Sequence, residues 1–292
     1  MTLSIVIPSH NRPDLLQLCL TSVRDHAPPG TQVIVVDDGS AGAVVSRVAA
    51  GLAGLEVIRH ERSRGFAAAA NRGVAAATGT VIELLNDDTQ VTARWADAAL
   101  RWFADPTVAS VAPLVLRGTP GDGAPFIDSA GDEYDRGGFA RKRGHGEPLT
   151  DRFRVPTEVF GASASTAFYR AEVLRTVGAF PEHFGAYFED VDLAWRIGRA
   201  GFRTMFEPGS VVWHRVGSSY RTRRPLIERQ SRNEERVFWR NVPAIWRAIP
   251  RHAVVLAGKA VRRAREGTLV PWVVGRMRAL VEVPGMIRSR HR

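Results

Sequence analysis

The sequence has little cysteine, no long apolar run and no glycine-rich phosphate loop. Its single cysteine, Cys19, leaves no second thiol for a disulfide within the chain, and its place on an amphipathic helix indicates a small buried side chain. No apolar run approaches the ~20 residues needed to cross a membrane, and no secretory signal precedes the first predicted strand. We therefore expect a cytoplasmic protein, peripheral on the inner face of the plasma membrane.

Charge is distributed unevenly along the chain. Residues 215–292 carry 19 Lys and Arg against 5 Asp and Glu, a net charge of +14, whereas residues 1–214 carry 21 against 25, a net charge of −4. Apolar blocks alternate with the basic ones, and Trp246 and Trp272 add aromatic anchors. This combination is typical of helices on an anionic membrane surface. No nucleic-acid-binding motif is present, so we expect no nucleic-acid partner. A helical subdomain with a solvated basic face stays open as the alternative.

Strands and helices alternate in the N-terminal half of the sequence. Helices are predicted from Pro13 onward and over the alanine-rich residues 67–77. They alternate with four β-prone runs, at residues 3–8, 32–36, 55–58 and 80–85. The alternation predicts an α/β fold with a mostly parallel central sheet flanked by helices. We expect this domain to cover residues 1–240, with a basic amphipathic helical C-terminal extension over residues 241–292.

Polar residues follow three of these four strands, at the points where the strands end. Ser9-His10-Asn11-Arg12 follows the first strand, Asp37-Asp38 the second and Asn86-Asp87-Asp88 the fourth. These ends should converge on one crevice, since open α/β sheets bind ligands at the carboxyl ends of their strands. Adjacent carboxylates repel each other, so Asp87-Asp88 indicates a hard cation, Mg²⁺ or Mn²⁺, which usually also holds substrate phosphates. A solvated turn is the alternative.

A second acidic cluster, Glu189, Asp190 and Asp192, begins a helix with a buried face. The helix dipole favours carboxylates in the first turn, but three within four residues exceed what capping needs. We expect one of them to be a general base. Before it, residues 117–156 are predicted to be loops and short strands, and small side chains at 161–167 would let a ligand or backbone approach. After it, His214 ends a β-prone run, where it could be structural or a metal ligand.

In this order the motifs resemble those of the family 2 inverting glycosyltransferases, which have a GT-A fold. The resemblance covers about residues 3–240. It rests on Val-Ile-Pro-Ser-His-Asn-Arg at 6–12, Val-Val-Asp-Asp-Gly-Ser at 35–40, Gly-Phe-Ala-Ala-Ala-Ala-Asn-Arg-Gly at 65–73, Leu-Asn-Asp-Asp-Thr at 85–89, Glu-Asp-Val-Asp-Leu-Ala-Trp-Arg at 189–196 and Trp-His at 213–214. Within the family the chain is most similar to rhamnosyltransferases and related enzymes that build bacterial cell-envelope glycans.

The resemblance implies a sugar-nucleotide site at the crevice. Asp38 would hydrogen-bond the pyrimidine base of the donor. Ser9 and His10 would line the same base, with the His10 ring in a position to stack on it. Asp87 would hold the ribose hydroxyls.

The resemblance also implies a metal site and a catalytic base. Asp88 would bind the divalent cation that bridges the diphosphate, and His214 would complete its shell. Asn86 departs from the family's DXD pattern at its first position, which leaves the cation to Asp88. Asp190 would be the base, and the remaining two carboxylates of the second cluster, Glu189 and Asp192, would position acceptor or donor hydroxyls.

The predicted function is transfer of a sugar from a UDP- or dTDP-sugar, with inversion, to a polyprenyl-diphosphate-linked cell-envelope glycan. The metal would stabilise charge on the leaving diphosphate. The sugar would become oxocarbenium-like, and one carboxylate would accept the proton of the acceptor hydroxyl. One alternative is a nucleotidyltransferase, which would need a glycine-rich basic loop after the first strand. Another is a non-catalytic protein that binds sugar nucleotides or acts as a membrane scaffold.

Overall fold

The computed structural model describes residues 1–123, 125–215 and 223–289. The N-terminal part contains β1 (Leu3–Ser9), α1 (Pro13–His26), β2 (Gln32–Asp37), α2 (Val44–Ala50), β3 (Leu55–Arg59), α3 (Phe66–Ala76), β4 (Val81–Leu84), β5 (Thr89–Val91) and α4 (Trp95–Leu100). The middle part contains β6 (Val108–Arg117), β7 (Ile127–Ser129), β8 (Asp132–Asp135), β9 (Phe139–Lys142), β10 (Thr157–Val159), β11 (Phe168–Arg170), α5 (Ala171–Val177), α6 (Glu189–Arg199) and β12 (Arg203–His214). The C-terminal part contains α7 (Arg223–Asn241), α8 (Ile245–Arg265) and α9 (Leu269–Ser289).

Within these described residues, ten strands form one sheet. Its order is β10-β12-β6-β11-β4-β1-β2-β3, with β5 paired to β12 and β7 to β6. The first four strands along the N-terminal half pair in parallel, as their alternation with helices predicts. β11 lies antiparallel between β4 and β6. The predicted α/β class with a mostly parallel sheet is confirmed, since β1, β2, β3, β4, β6 and β12 all run in the same direction. The antiparallel strands β5, β7, β10 and β11 are only three residues long, and antiparallel pairs need no helical crossover.

Helices cover both faces of the sheet. On one face α1, α2 and α4 pack against Ile5 and Ile7, and Cys19 is fully buried there, as predicted. On the other face α3, α5 and α6 pack against Val6 and its neighbours. A Cβ at Gly73 would overlap the Val6 side chain, so this motif glycine allows α3 to lie close against β1.

Strand order places the site. β1 lies between β2 and β4, and the three strands run in the same direction. Their carboxyl ends therefore meet at one edge of the sheet, where Ser9 and Asp37 are register partners. The convergence of polar strand ends that the sequence predicts is thus present in the fold.

The C-terminal helices form a packed unit with α7. The buried Arg276 of α9 pairs with Glu234 and Glu235 of α7. The predicted domain boundary at residue 240 falls near the end of α7, yet α7 itself packs along α9. Among the described residues no helix is both long and apolar enough to span a bilayer.

One expectation for this segment is wrong. Trp272 is only 7% exposed, its carbonyl oxygen accepts a hydrogen bond from Ser231 Oγ of α7, and the Arg276 guanidinium lies over its ring. The ring is therefore part of the packing between helices and cannot anchor a membrane interface. Trp246, by contrast, is 73% exposed.

Candidate active site

Asp88 and His214 meet at the carboxyl edge of β4. Nε2 of His214 lies 3.2 Å from Oδ1 of Asp88. The strand register explains the contact: β5 pairs antiparallel with β12, with Thr89 opposite His214. The backbone N–H of Arg215 also donates to the carbonyl oxygen of Asp88 at 2.9 Å. Pairing within the sheet, and not a flexible loop, brings together these two residues that are distant in sequence.

The Asp88–His214 pair fits a divalent cation that is held mainly by its substrate. A carboxylate oxygen and an imidazole nitrogen are both ligands of Mn²⁺, and the carboxylate also suits Mg²⁺. Over the residues that the structure describes, no group of three or more His, Cys, Asp or Glu surrounds a common cation position. Further ligands would therefore come from a diphosphate and water, as is usual for Mg²⁺ at phosphate sites.

Arg12 bridges the two aspartates that follow β4. Its Nη1 lies 2.9 Å from Oδ2 of Asp88, and its Nη2 pairs with Oδ1 of Asp87. Ser9 Oγ donates to Oδ2 of Asp87 at 2.6 Å. Burial raises the pKa of Asp87 to about 6, although the charge of Arg12 acts in the opposite direction. Sequence reasoning quoted Arg12 within a motif but gave it no role; the structure makes it the internal countercharge of the acidic pair.

Asp38 faces the loop of residues 60–65. Oδ1 accepts hydrogen bonds from His60 Nδ1 and the N–H of Arg64, and Oδ2 accepts from Ser63 Oγ and the N–H of Gly65. Burial alone would raise the pKa of Asp38, but these bonds outweigh it and lower the pKa. A carboxylate has about four acceptor positions. The predicted hydrogen bond between Asp38 and the pyrimidine base of the donor would therefore require one of these four bonds to open.

The residues around Asp38 shape the same wall. His10 is exposed, and its Nδ1 lies 2.8 Å from the carbonyl oxygen of Asp38, so its ring has an anchored orientation that suits stacking. The adjacent Asp37 is structural, since it accepts from Arg59 and from two serines. Gly39 has φ +70°, and a Cβ there would overlap the Arg62 backbone, so the turn requires glycine.

Asp190 lies at the start of α6, beside residues 161–167, which we call the small-residue segment. Its Oδ2 accepts a hydrogen bond from the N–H of Ala164 at 3.1 Å. Burial raises the pKa of Asp190, and its backbone hydrogen bonds oppose this only in part. The N–H of Asn86 donates to the carbonyl oxygen of Ser165 at 2.8 Å. The segment therefore contacts both the acidic loop after β4 and the carboxylate of the candidate base, the close approach that its small side chains predict.

Two buried carboxyls flank Asp190. Burial, and then the charge of Asp190, raises the pKa of Glu189 well above its usual range. The same two causes raise the pKa of Asp132 on β8. Carboxyls with raised pKa are suited to accept protons near neutral pH. Sequence reasoning missed Asp132 because it lies in a stretch without periodicity.

Asp192 does not share this environment, which corrects its predicted catalytic role. It is fully buried, and its carboxylate accepts from Arg196 Nε at 2.9 Å and from Asn241 Nδ2 at 2.8 Å. Arg240 pairs with it at 3.0 Å. Residues two apart on a helix point in widely different directions, so Asp192 joins α6 to α7 while Asp190 faces the small-residue segment.

The loop before α6 is held in an uncommon conformation. Gly185, Tyr187 and Phe188 all have positive φ, which costs free energy for the two aromatic residues. Asn233 of α7, fully buried, donates from Nδ2 to the carbonyl oxygens of Phe184, Ala186 and Tyr187. Helix α7 therefore fixes the approach of the chain to Asp190.

Asp128 of β7 is a further residue that sequence reasoning missed. Its Oδ2 lies 3.1 Å from Nδ1 of His214 and 2.7 Å from Nζ of Lys142. Burial alone would lower the pKa of His214, but hydrogen bonds and charges from Asp128 and Asp88 raise it to about 9. The only sequence signal was an acidic residue in the short β-prone run Ile127-Asp128-Ser129.

Comparison with known proteins identifies the family. The model of the "Glycosyl transferase family 2" matches residues 4–178, more than half of the chain. The chain therefore belongs to glycosyl transferase family 2, as its motifs predict. A "Pre-mycofactocin glycosyltransferase" of Mycobacterium tuberculosis is 35% identical over 215 residues, which cover 72% of this chain and 42% of that protein. The chain thus spans about two fifths of the length of this relative.

Solved structures confirm the predicted GT-A fold. GalNAc-T7 with UDP, GalNAc and Mn²⁺ superposes with a TM-score of 0.64 and 19% identity, covering 80% of this chain and 48% of that one. The mannosyltransferase PcManGT from Pyrobaculum calidifontis, in complex with GDP-Man and Mn²⁺, gives a TM-score of 0.59 and 20% identity, covering 99% and 84%.

Proposed function

We propose that this protein is a metal-dependent inverting glycosyltransferase that uses a UDP- or dTDP-sugar, with a rhamnosyl donor among the candidates. The observation that carries the proposal is the contact of Asp88 with His214 at the carboxyl edge of β4 in a family 2 chain. The Mn²⁺ present with the two structural neighbours supports a divalent cation at this pair.

In the proposed reaction the protein binds, orients and removes a proton. Asp88 and His214 would hold Mn²⁺ or Mg²⁺, which supplies positive charge beside the diphosphate. Ser9, His10 and Asp38 would line the site for the nucleoside. Asp190 would accept the proton of the acceptor hydroxyl as that oxygen attacks the anomeric carbon from the face opposite the leaving group. One displacement inverts the configuration, so no nucleophilic side chain is needed.

The test begins with donor binding. Purified protein with Mn²⁺ is heated with UDP-, dTDP- and GDP-sugars, and a true donor at a hundredfold its dissociation constant should stabilise the fold by ~2.7 kcal/mol. Transfer is then followed by NMR of the anomeric proton, which reports inversion. Stabilisation without transfer to any acceptor would favour a sugar-nucleotide-binding protein. If no sugar nucleotide stabilises the protein, the proposal fails.

We further propose that the acceptor is a polyprenyl-diphosphate-linked glycan and that α8 and α9 dock the protein on the anionic inner face of the plasma membrane. The two helices expose large apolar side chains at helical spacing: Trp246, Val254, Val261, Val270, Val273, Met277, Leu280 and Val281. Exposed arginines of α8 accompany them: Arg247, Arg251, Arg262 and Arg265. Apolar side chains with adjacent cations match an anionic lipid surface.

Point substitutions test this docking better than truncation. Removing α9 would strip Arg276 from the buried Glu234 and Glu235 and would unfold more than the surface. We expect Trp246→Gln combined with Val281→Gln to reduce sedimentation with phosphatidylglycerol vesicles and activity on a lipid-linked acceptor, with activity on a soluble acceptor retained.

Val155→Gln is the matched control, since Val155 is 63% exposed and lies outside α8 and α9. Unchanged sedimentation of the double variant would refute the docking surface. Because one relative is named a pre-mycofactocin glycosyltransferase, pre-mycofactocin is a second acceptor to assay.

A further inference from the structure

We propose that Asp128 is a positioning residue for the metal site: it holds the His214 ring so that Nε2 points at the cation position beside Asp88. The inference rests on the metal site of the proposed function. Asp128 contacts His214 at Nδ1, the ring nitrogen on the side away from Asp88.

The geometry fixes both the direction and the tautomer of the ring. Nδ1 of His214 lies 3.1 Å from Oδ2 of Asp128, while Nε2 lies 3.2 Å from Oδ1 of Asp88. A carboxylate can only accept a hydrogen bond, so it keeps a proton on Nδ1, and the lone pair of a neutral ring is then on Nε2. Metal-bound histidines are commonly oriented by such a carboxylate partner.

Asp128 is itself held rigidly. Its side chain is buried on β7, Lys142 Nζ of β9 donates to Oδ2 at 2.7 Å, and its carbonyl oxygen lies 2.8 Å from Nδ1 of His145. A buried carboxylate is costly unless it is paired, and Lys142 and His214 provide the pairing. Because β7 pairs with β6 and β6 with β12, Asp128 and His214 belong to neighbouring parts of one sheet.

The experiment measures the dissociation constant of Mn²⁺ by electron paramagnetic resonance, with and without UDP. Compared at pH 9, where protonation of the His214 ring costs little affinity in either protein, Asp128→Ala should weaken Mn²⁺ binding roughly 10- to 100-fold, the usual effect of losing an orienting partner. Glu207→Gln is the matched control. Like Asp128, Glu207 is a buried carboxylate with a cationic partner, Arg101, and it lies on the same strand as His214. It should alter the melting temperature and leave Mn²⁺ affinity within about twofold, since additivity holds for separate sites.

A double-mutant cycle separates positioning from a general structural role. If Asp128 acts through His214, Asp128→Ala should have no further effect on Mn²⁺ affinity in a His214→Ala background. An equal loss in both backgrounds, or wild-type affinity in Asp128→Ala, would overturn the inference. If Asp128→Ala fails to fold, Asp128→Asn replaces it, because the amide keeps the shape but no longer enforces the proton on Nδ1.

The proposed function can fail separately from this inference. Protein that shows the expected Mn²⁺ pattern but neither binds nor turns over any sugar nucleotide refutes the transferase and leaves the role of Asp128 standing. Wild-type protein that binds no Mn²⁺ under either condition overturns the inference. Transfer that persists in a chelator would then show that the transferase works without the metal site.

Discussion

Metal binding to the donor-free protein should be coupled to the loss of a proton from His214. In the absence of metal, Asp128 and Asp88 raise the pKa of His214 to about 9, against the effect of burial. At pH 7 the ring is therefore protonated, and a protonated imidazole has no lone pair for a cation. Because pH 7 lies two units below this pKa, removal of the proton costs about 2.7 kcal/mol. Mn²⁺ should therefore bind about a hundredfold more weakly at pH 7 than it would to the neutral ring.

The apparent affinity for Mn²⁺ should rise about tenfold per pH unit from pH 6.5 to 8.5 and level off near pH 9. Titration by electron paramagnetic resonance at constant ionic strength gives this slope. Calorimetry in two buffers of different ionisation enthalpy should show about one proton released per Mn²⁺ at pH 7.5. His214→Gln should abolish both signals. A flat profile in the unmodified protein would refute the assignment of His214 as a ligand that must lose a proton.

The same pKa predicts how the stability of the metal-free protein depends on pH. The folded-state pKa of His214 lies above its ordinary value of 6.5. Its contribution to stability is therefore fully present below pH 6.5 and is lost as pH rises through 9, by about 3 kcal/mol. Urea unfolding at pH 6.5 and 9, compared between the unmodified protein and His214→Gln, measures this difference.

Three further substitutions test the α6 region. Asp190→Asn should lower kcat roughly 10²- to 10⁴-fold while UDP affinity, measured by calorimetry, stays near normal, because the amide cannot accept the proton; near-normal turnover would move the base role to Glu189 or Asp132. Asp192→Ala should cost about 3 kcal/mol in urea unfolding, because Arg196 and Arg240 lose their buried partner; an unchanged midpoint would contradict the structural role. Asn233→Ala should lower the free energy of unfolding by about 1–3 kcal/mol and speed proteolysis near residue 187, because three carbonyl groups lose their donor. An unchanged rate of cleavage would show that the loop before α6 keeps its conformation without Asn233.

The parts of the fold that the sequence could predict are those that depend on local sequence patterns. The β-prone runs and the helix at Pro13 appear at the expected positions. These segments are specified by periodicity and by turn residues next to them in the chain. Convergence of Ser9, Asp38 and Asp88 followed from parallel pairing, since parallel strands place their carboxyl ends at one edge.

Pairings between distant segments could not be predicted in the same way. Asp128 meets His214, and Arg12 meets Asp88, only because the sheet brings their strands together. A local sequence pattern cannot predict a contact with a residue far along the chain. Asp192 shared a cluster with Asp190, and only the direction of each side chain on α6 separates them. Trp272 resembled an interfacial anchor because the sequence does not specify which face of α9 meets α7.

The charges around the metal position explain why cation and donor should bind together. In the metal-free protein three cations alternate with three carboxylates along one connected path, which contains Lys142, Asp128, His214, Asp88, Arg12 and Asp87. This path is close to electrically neutral with His214 protonated. A divalent cation that replaces one proton leaves an excess of about one positive charge. A diphosphate supplies the missing negative charge at the same edge of the sheet, so each should favour binding of the other.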